Sequence, residues 1–148
     1  KSKVNIKCKD HGLFQQTPNK HLAGQGCPRC SILRSENTMN AILKEIYSEN
    51  TFKKIRPLWL KYINGSNLEI DAYCEELKIG FEYQGEQHEK FIPYFHNNNI
   101  ENFYDQQKRD IWKKEKCKEL DIKLICIPSN YSYQNKEEMK QFIEQSLL

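Results

Sequence analysis

Apolar residues at Met39, Ile42, Leu43 and Ile46 follow the three-and-four spacing of one buried helical face, and Ser35 just upstream can cap the helix start, which predicts a helix over about 35–49. "TFKKIRPLWL" reads as an extended segment interrupted by Pro57, and "INGSN" as a turn. "NLEIDAYC" (67–74) and "KIGFEYQG" (78–85) alternate as two strands of a hairpin, and "FIPYFHNNN" is a loop with aromatic anchors. Residues 100–120 form a long charged helix and "KLICIP" a continuous apolar strand, and residues 135–147 close the chain as a helix with Met139, Phe142, Ile143 and Leu147 inward. Residues 4–30 are polar and turn-rich, with no helical period able to bury a face unaided.

The hairpin pattern selects a register. Alternation puts Glu69, Asp71 and Tyr73 on one face and Leu68, Ile70 and Ala72 on the other. A loop of two residues (76 and 77) or four (75–78) sets Asp71 opposite Glu82 and Glu69 opposite Gln84, with the apolar pairs Ile70–Tyr83 and Ala72–Phe81 on the core side. The odd-length register would place Asp71 beside Phe81, which a buried face disfavours.

Composition adds three constraints. At 148 residues, 38% hydrophobic and 29% charged, the chain suits a globular fold of one domain or one domain with an appendage, and it contains no apolar run able to span a bilayer. It lacks an initiating Met and a signal-peptide pattern, so it reads as a piece of a longer protein. Residues 1–34 carry seven Lys or Arg against one acid and residues 35–148 sixteen against nineteen, so the basic end is N-terminal, as expected for a polyanion partner. Cys74, Cys117 and Cys126 are isolated, which favours a reducing, intracellular compartment over a disulfide framework.

Cys8-x2-His11 is followed, fifteen residues later, by Cys27-x2-Cys30. Three thiolates and an imidazole make a closed tetrahedral zinc site, and such a site supplies the folding energy that this short segment lacks. With no open coordination position its Zn²⁺ is structural. Lys7, Lys9, Lys20, His21, Arg29 and Arg34 decorate the same segment and are the candidate DNA-phosphate contacts.

Two carboxylates directly opposite one another, such as Asp71 and Glu82, repel by about 0.2–1 kcal/mol when exposed and by more when buried. A divalent cation reverses that sign, and with a carbonyl, waters and a phosphate the pair would satisfy Mg²⁺, with Mn²⁺ as a substitute. Gly85 lets the chain turn so that Gln87 and His88 approach the same face, where His88 suits proton transfer.

Asp71 and Glu82-x-Gln84, between a helix beginning with Glu36 and a following helix and buried strand, resemble the PD-(D/E)XK nuclease superfamily. "FEYQGEQH" with "RDIWKKEKCKELDIKLICIP" is similar to its branch of very-short-patch repair and phage homing endonucleases, and "CKDHG...HLAGQGCPRC" to zinc modules attached to such nucleases in phages and mobile elements. The resemblance implies an α/β (α+β) restriction-endonuclease-like core, a mixed β-sheet flanked by helices over residues 35–148, preceded by a zinc-ribbon or zinc-finger module over 1–34. It implies Asp71 and Glu82 as Mg²⁺ ligands, Glu36 in support, His88 as the branch's histidine, and Asp110 with Lys113 as an additional site on the next helix. Gln84 stands where lysine is usual, and an amide is neither a cation nor a base.

The expectation is therefore a Mg²⁺-dependent DNA endonuclease, phage-, virus- or mobile-element-encoded, acting on DNA as a monomer or homodimer. Two alternatives are a catalytically silent DNA-binding module and a zinc-stabilised protein-interaction domain.

Overall fold

The computed structural model of the protein describes residues 2–148. Strands β1 (Val4–Cys8) and β2 (Gly12–Gln16) pair as an antiparallel hairpin with Ile6 opposite Phe14. Gly12 reverses the chain there at φ +78°, where any side chain would be strained. The short helix α1 (Pro18–Leu22) follows, capped by Thr17. Then come α2 (Pro28–Ile46), β3 (Lys53–Ile55), β4 (Ile70–Cys74), β5 (Ile79–Tyr83), α3 (Ile100–Glu119), β6 (Lys123–Ile127) and α4 (Lys136–Ser146). The fold is thus mixed α/β.

The first long helix begins at Pro28, not at the expected Ser35, and ends at Ile46 instead of 49. Pro28 at the first helical turn has no N–H to leave unsatisfied and a φ already set for a helix, so the start lies immediately after Cys27. Ser35 is buried inside the helix and does not cap it. Its hydroxyl accepts the Tyr133 N–H at 3.2 Å, which ties α2 to the loop before α4. The expected boundary between 34 and 35 falls within this continuous helix.

The main sheet has the order β3-β4-β5-β6, with β3, β4 and β5 antiparallel in turn and β6 parallel to β5. Ala72 faces Phe81, Tyr73 faces Gly80 and Cys74 faces Ile79, the register expected from the apolar pattern, closed through residues 75–78 with Lys78 at φ +54°. Upstream the expectation fails. β4 starts only at Ile70, and its pairing with β3 shifts between Lys53–Tyr73 and Ile55–Ile70. The irregularity turns Ile70 to the side of Tyr73, so the Ile70–Tyr83 and Glu69–Gln84 pairs do not form. The Gln84 N–H instead donates to the Ile127 carbonyl at 2.9 Å.

Both faces of the sheet are covered. On one, Met39, Ile42 and Leu43 of α2 and Met139 and Ile143 of α4 pack on Ala72, Phe81 and Ile127. On the other, Ile70 and Tyr73 pack with Leu60, Ile122 and Cys117 of α3. Gly80 belongs to this second face, where an added Cβ would lie 3.2 Å from both Ile70 and Leu124. Polar side chains that point from β5 toward α3 are therefore surrounded by protein.

Truncating the fully buried Ile143 to Ala should lower the unfolding free energy by about 2–5 kcal/mol in urea titration. Ile111→Ala, on the exposed side of α3, should change it by less than about 0.5 kcal/mol.

Candidate functional site

The β1–β2 hairpin carries Cys8 and His11, and the start of α2 carries Cys27 and Cys30. Cys8 Sγ lies 3.5 Å from His11 Nδ1 and 3.7 Å from Cys30 Sγ, while Cys27 and Cys30 Sγ lie 3.6 and 3.3 Å from the same nitrogen. A tetrahedral centre with bonds of about 2.3 Å to sulfur and 2.0–2.1 Å to nitrogen separates its ligands by about 3.8 Å (S–S) and 3.5 Å (S–N). The four residues expected as ligands therefore have the spacing to hold a metal ion such as zinc, and their ligand atoms all lie within 4.8 Å of one another. The main-chain N–H of Asp10 and then His11 lower the Cys8 thiol to about 7, whereas burial and the neighbouring thiols push Cys30 up to about 11. A bound cation would relieve that crowding by stabilising every thiolate at once.

Across α2 lies the carboxylate group. Where β4 leaves β5, Asp71 Oδ2 accepts the Tyr83 N–H at 3.0 Å, standing in for a main-chain carbonyl of the ladder. Burial first and then Glu36, with a lesser push from Glu69, raise the Asp71 carboxyl to about 6 against the opposing effects of the Tyr83 N–H and Lys113. Glu82 points from β5 toward α3 and is buried, and Lys113 Nζ reaches it at 2.5 Å while also donating to the Glu69 carbonyl. Burial lifts Glu82 to about 7 despite the pull of that lysine. Glu36, on α2, pairs with Lys54 of β3 at 3.4 Å, and Lys54 lies 3.9 Å from Glu69. A cleft of about 710 Å³ opens beside Glu36, Asn37, Asn40, Lys54 and Asp71.

Four expected site residues thus converge: Glu36, Asp71, Glu82 and Lys113. Among the described residues, however, the Cys/His cluster is the one group of three or more metal-ligand side chains within 4.8 Å. The acids offer oxygen donors for a hard cation, with Asp71 and Glu36 at the cleft and Glu82 behind them.

Gln87 and His88 do not return together to the carboxylates. The short turn Glu86–His88 is 3₁₀-like, with consecutive side chains about 120° apart, so the two diverge. Gln87 folds over Gly85 and Ile32, where a side chain on residue 85 would collide with it. His88 turns to α3, its Nδ1 2.7 Å from Asp110 Oδ2. A carboxylate only accepts, so Nδ1 carries the proton and Nε2 is the basic nitrogen, 3.3 Å from the Gln106 amide nitrogen. Gln106 Oε1 in turn meets His96 Nε2 at 2.9 Å, and His96 is buried.

Gln106, His96 and Lys54 escaped the sequence reading, although a signal for the first existed. Phe103, Gln106, Asp110, Lys113 and Cys117 form one three-and-four stripe on α3, so three polar residues occupy core-facing positions of a helix.

The basic residues expected at DNA divide in two. Lys7, Lys9, Lys20 and His21 are exposed on the hairpin and α1. Arg29 and Arg34, also exposed, lie over aromatic rings, Arg29 5.4 Å from the Tyr94 and Phe95 centroids and Arg34 5.4 Å from Tyr133, so both link the Cys/His segment and the start of α2 to later loops of the fold. All six cysteines are free, and no helix among the described residues is long and apolar enough to cross a membrane.

A family model described as a protein of unknown function (DUF723) matches residues 1–31, the segment that contains the Cys/His ligands. The chain is 48% identical over 83 residues to Uncharacterized protein 307L of Invertebrate iridescent virus 6, covering 52% of this chain and 42% of that protein. It is 41% identical over 64 residues to Uncharacterized protein 094L of Frog virus 3 (isolate Goorha), covering 43% and 41%. Against Uncharacterized protein 033L of Invertebrate iridescent virus 3 it is 34% identical over 120 residues, covering 80% and 60%. The chain spans about half the length of these viral relatives. No solved structure matches it.

Two outcomes follow. Metal analysis should find one zinc per chain, and Cys30→Ser should lose it and lower the thermal midpoint by more than about 5 °C. Asp71 holds its proton more tightly folded than unfolded, so stability is lost as pH rises from its ordinary value of 3.8 through about 6. Asp71→Asn, which keeps an acceptor for Tyr83, should match the wild type in urea near pH 3 and exceed it by about 1–3 kcal/mol near pH 8.

Proposed function

We propose that this chain is the catalytic portion of a metal-dependent endonuclease of the PD-(D/E)XK type, with a zinc-stabilised segment that grips DNA. The observation that carries this reading is the convergence of Asp71, Glu82 and Lys113. Glu82 meets a buried ammonium brought from α3, Asp71 of the neighbouring strand feels the charge of both, and Gln84, placed where a lysine is usual, cannot supply that ammonium. Support also comes from the order of elements, in which a helix, three antiparallel strands, a helix and a parallel strand follow one another as the resemblance implies.

Asp71 and Glu82 would hold Mg²⁺, with Glu36 in support from the cleft. When bound, that ion would lower the pKa of a ligated water and offset charge building on the phosphate. Lys113 holds Glu82 in place and contributes positive potential where negative charge develops. His88, oriented by Asp110 through Nδ1, presents Nε2 to take or return a proton once Gln106 yields its weak 3.3 Å contact. Exposed Lys7, Lys9 and Lys20 offer phosphate contacts of the kind that weaken steeply with salt. Oxygen-rich acids at the cleft and sulfur-rich ligands in the hairpin sort Mg²⁺ from Zn²⁺ by donor chemistry.

Supercoiled plasmid incubated with the zinc-loaded chain should be nicked or linearised only with Mg²⁺ or Mn²⁺. Asp71→Ala and Lys113→Ala should each slow cutting by at least about 100-fold while DNA affinity stays within about twofold. Intact plasmid, linear, branched and mismatched DNA under all these conditions would leave a DNA-binding module without catalysis. Retained cutting by Asp71→Ala would reject the assigned centre.

A further inference from the structure

On the other flank of α2 from the carboxylate cleft lies a second, half-open pocket of about 300 Å³, at the small end of the about 300–1,000 Å³ typical of small-molecule sites. α2 presents Ser31, Ile32 and Ser35 to it, and Glu36, Asn37 and Asn40 to the cleft. The cavity is walled by β2, the Gly85–Gln87 turn and the loops around Phe95 and Tyr133, so the metal-binding segment and the main sheet build it jointly.

Its chemistry is specific. Gln16 is 8% exposed, and its Nε2 donates to the carbonyls of Gln25 and Gly26 at 3.1 and 3.2 Å. Those two bonds fix the orientation of the amide and leave Oε1 as a buried acceptor with no partner. Gln87 Oε1, over Gly85, is likewise buried and unpartnered. Gln25 and Gln134 add two further amides to the lining. The charged lining group is Glu86, a carboxylate, which disfavours a phosphate inside. Cations stand outside instead, Arg29 on the Phe95 ring and Arg34 on the Tyr133 ring, two rings that line the cavity. With the Phe95 and Tyr133 rings in the lining to stack on, the occupant that matches this pattern is an uncharged ring that carries N–H donors and is joined to a phosphate that stays outside.

We propose that this cavity receives an unpaired nucleobase, with Gln16 and Gln87 accepting from its amino and ring N–H groups and Arg29 and Arg34 holding the adjoining phosphates. Amide oxygens accept from the N–H groups of base edges, here without the second, nitrogen-donated bond because Gln16 Nε2 is already engaged, and a base reaches such a pocket only when it is unpaired or turned out of its stack. The site lies apart from the carboxylates. It draws on the nucleic-acid reading only where the base belongs to a strand, and free nucleosides probe it independently of cutting.

The test compares zinc-loaded wild type, Gln16→Met and Gln87→Leu, each first shown to retain zinc and the wild-type thermal midpoint within a few degrees. Binding is measured, without Mg²⁺, to a duplex with a single bulged guanosine, whose base carries both an amino group and a ring N–H, to the same duplex with an abasic bulge, and to the fully paired duplex. The bulged base should be bound about tenfold more tightly than the abasic control, and either substitution should cut that preference below about twofold without weakening binding to the paired duplex. In parallel, adenosine, cytidine, guanosine and thymidine are titrated while the Gln16 and Gln87 side-chain amide NMR signals are followed. Shifts in those signals without a bulge preference would assign the cavity to free nucleosides rather than to strand bases. A bulge preference that survives both substitutions would overturn the proposal. So would equal binding of base and abasic duplexes together with unmoved amide signals, an outcome that leaves the Gln16 oxygen to water. If Gln16→Met fails to keep zinc, Gln87→Leu and the nucleoside titration decide.

Discussion

A carboxylate on the inner strand of a sheet covered on both faces must be neutralised, protonated or matched by a cation, and at Glu82 the match is Lys113. The pair crosses from β5 to α3 and joins the sheet to the helix in a region otherwise filled by apolar side chains. Such pairs contribute little net stability, because removing both charges from water costs nearly what their attraction returns. Breaking one partner alone is costly, so the arrangement is rigid. Asp71, short of positive charge beside it, is the complementary case, an acid whose ionisation opposes folding and which a bound cation would relieve.

Helix α2 distributes that geometry through the molecule. Its first turn holds two ligands of the sulfur-rich cluster, its middle offers Ser35 to Tyr133 and Glu36 to the cleft, and its last turns fill the apolar core. The Cys/His cluster at one end and core packing at the other therefore act on one rigid element. The cation–π contacts of Arg29 and Arg34 reinforce the connection from the side.

Much of this was legible in the residues. Cys-x2-His and Cys-x2-Cys pairs announce their ligand set because few other roles need thiols and imidazole at that spacing. Alternation across two short strands selected the register of Ala72 with Phe81, since the competing register would bury acids beside rings. The α2 start was misread because Pro28 was hidden among metal ligands and turn residues, while Ser35, a good cap by type, is held instead by a loop nearly a hundred residues away in sequence.

The local pattern by itself determined the strands and helices of the main sheet to within a few residues, the start of α2 aside, the sulfur-rich ligand set and the pairing of Ala72 with Phe81, because each follows from the backbone period or the chemistry of neighbouring residues. Only the tertiary structure decided which cation meets Glu82, that His88 and Gln87 part company, and that a cavity forms between α2 and the Gly85 turn. Lys113 and Glu82 are 31 positions apart in sequence, and His88 and Asp110 22 apart. Contacts of that span depend on how α3 lies across the sheet, a property set by the packing of Cys117, Ile122 and Tyr73 that no local spacing encodes.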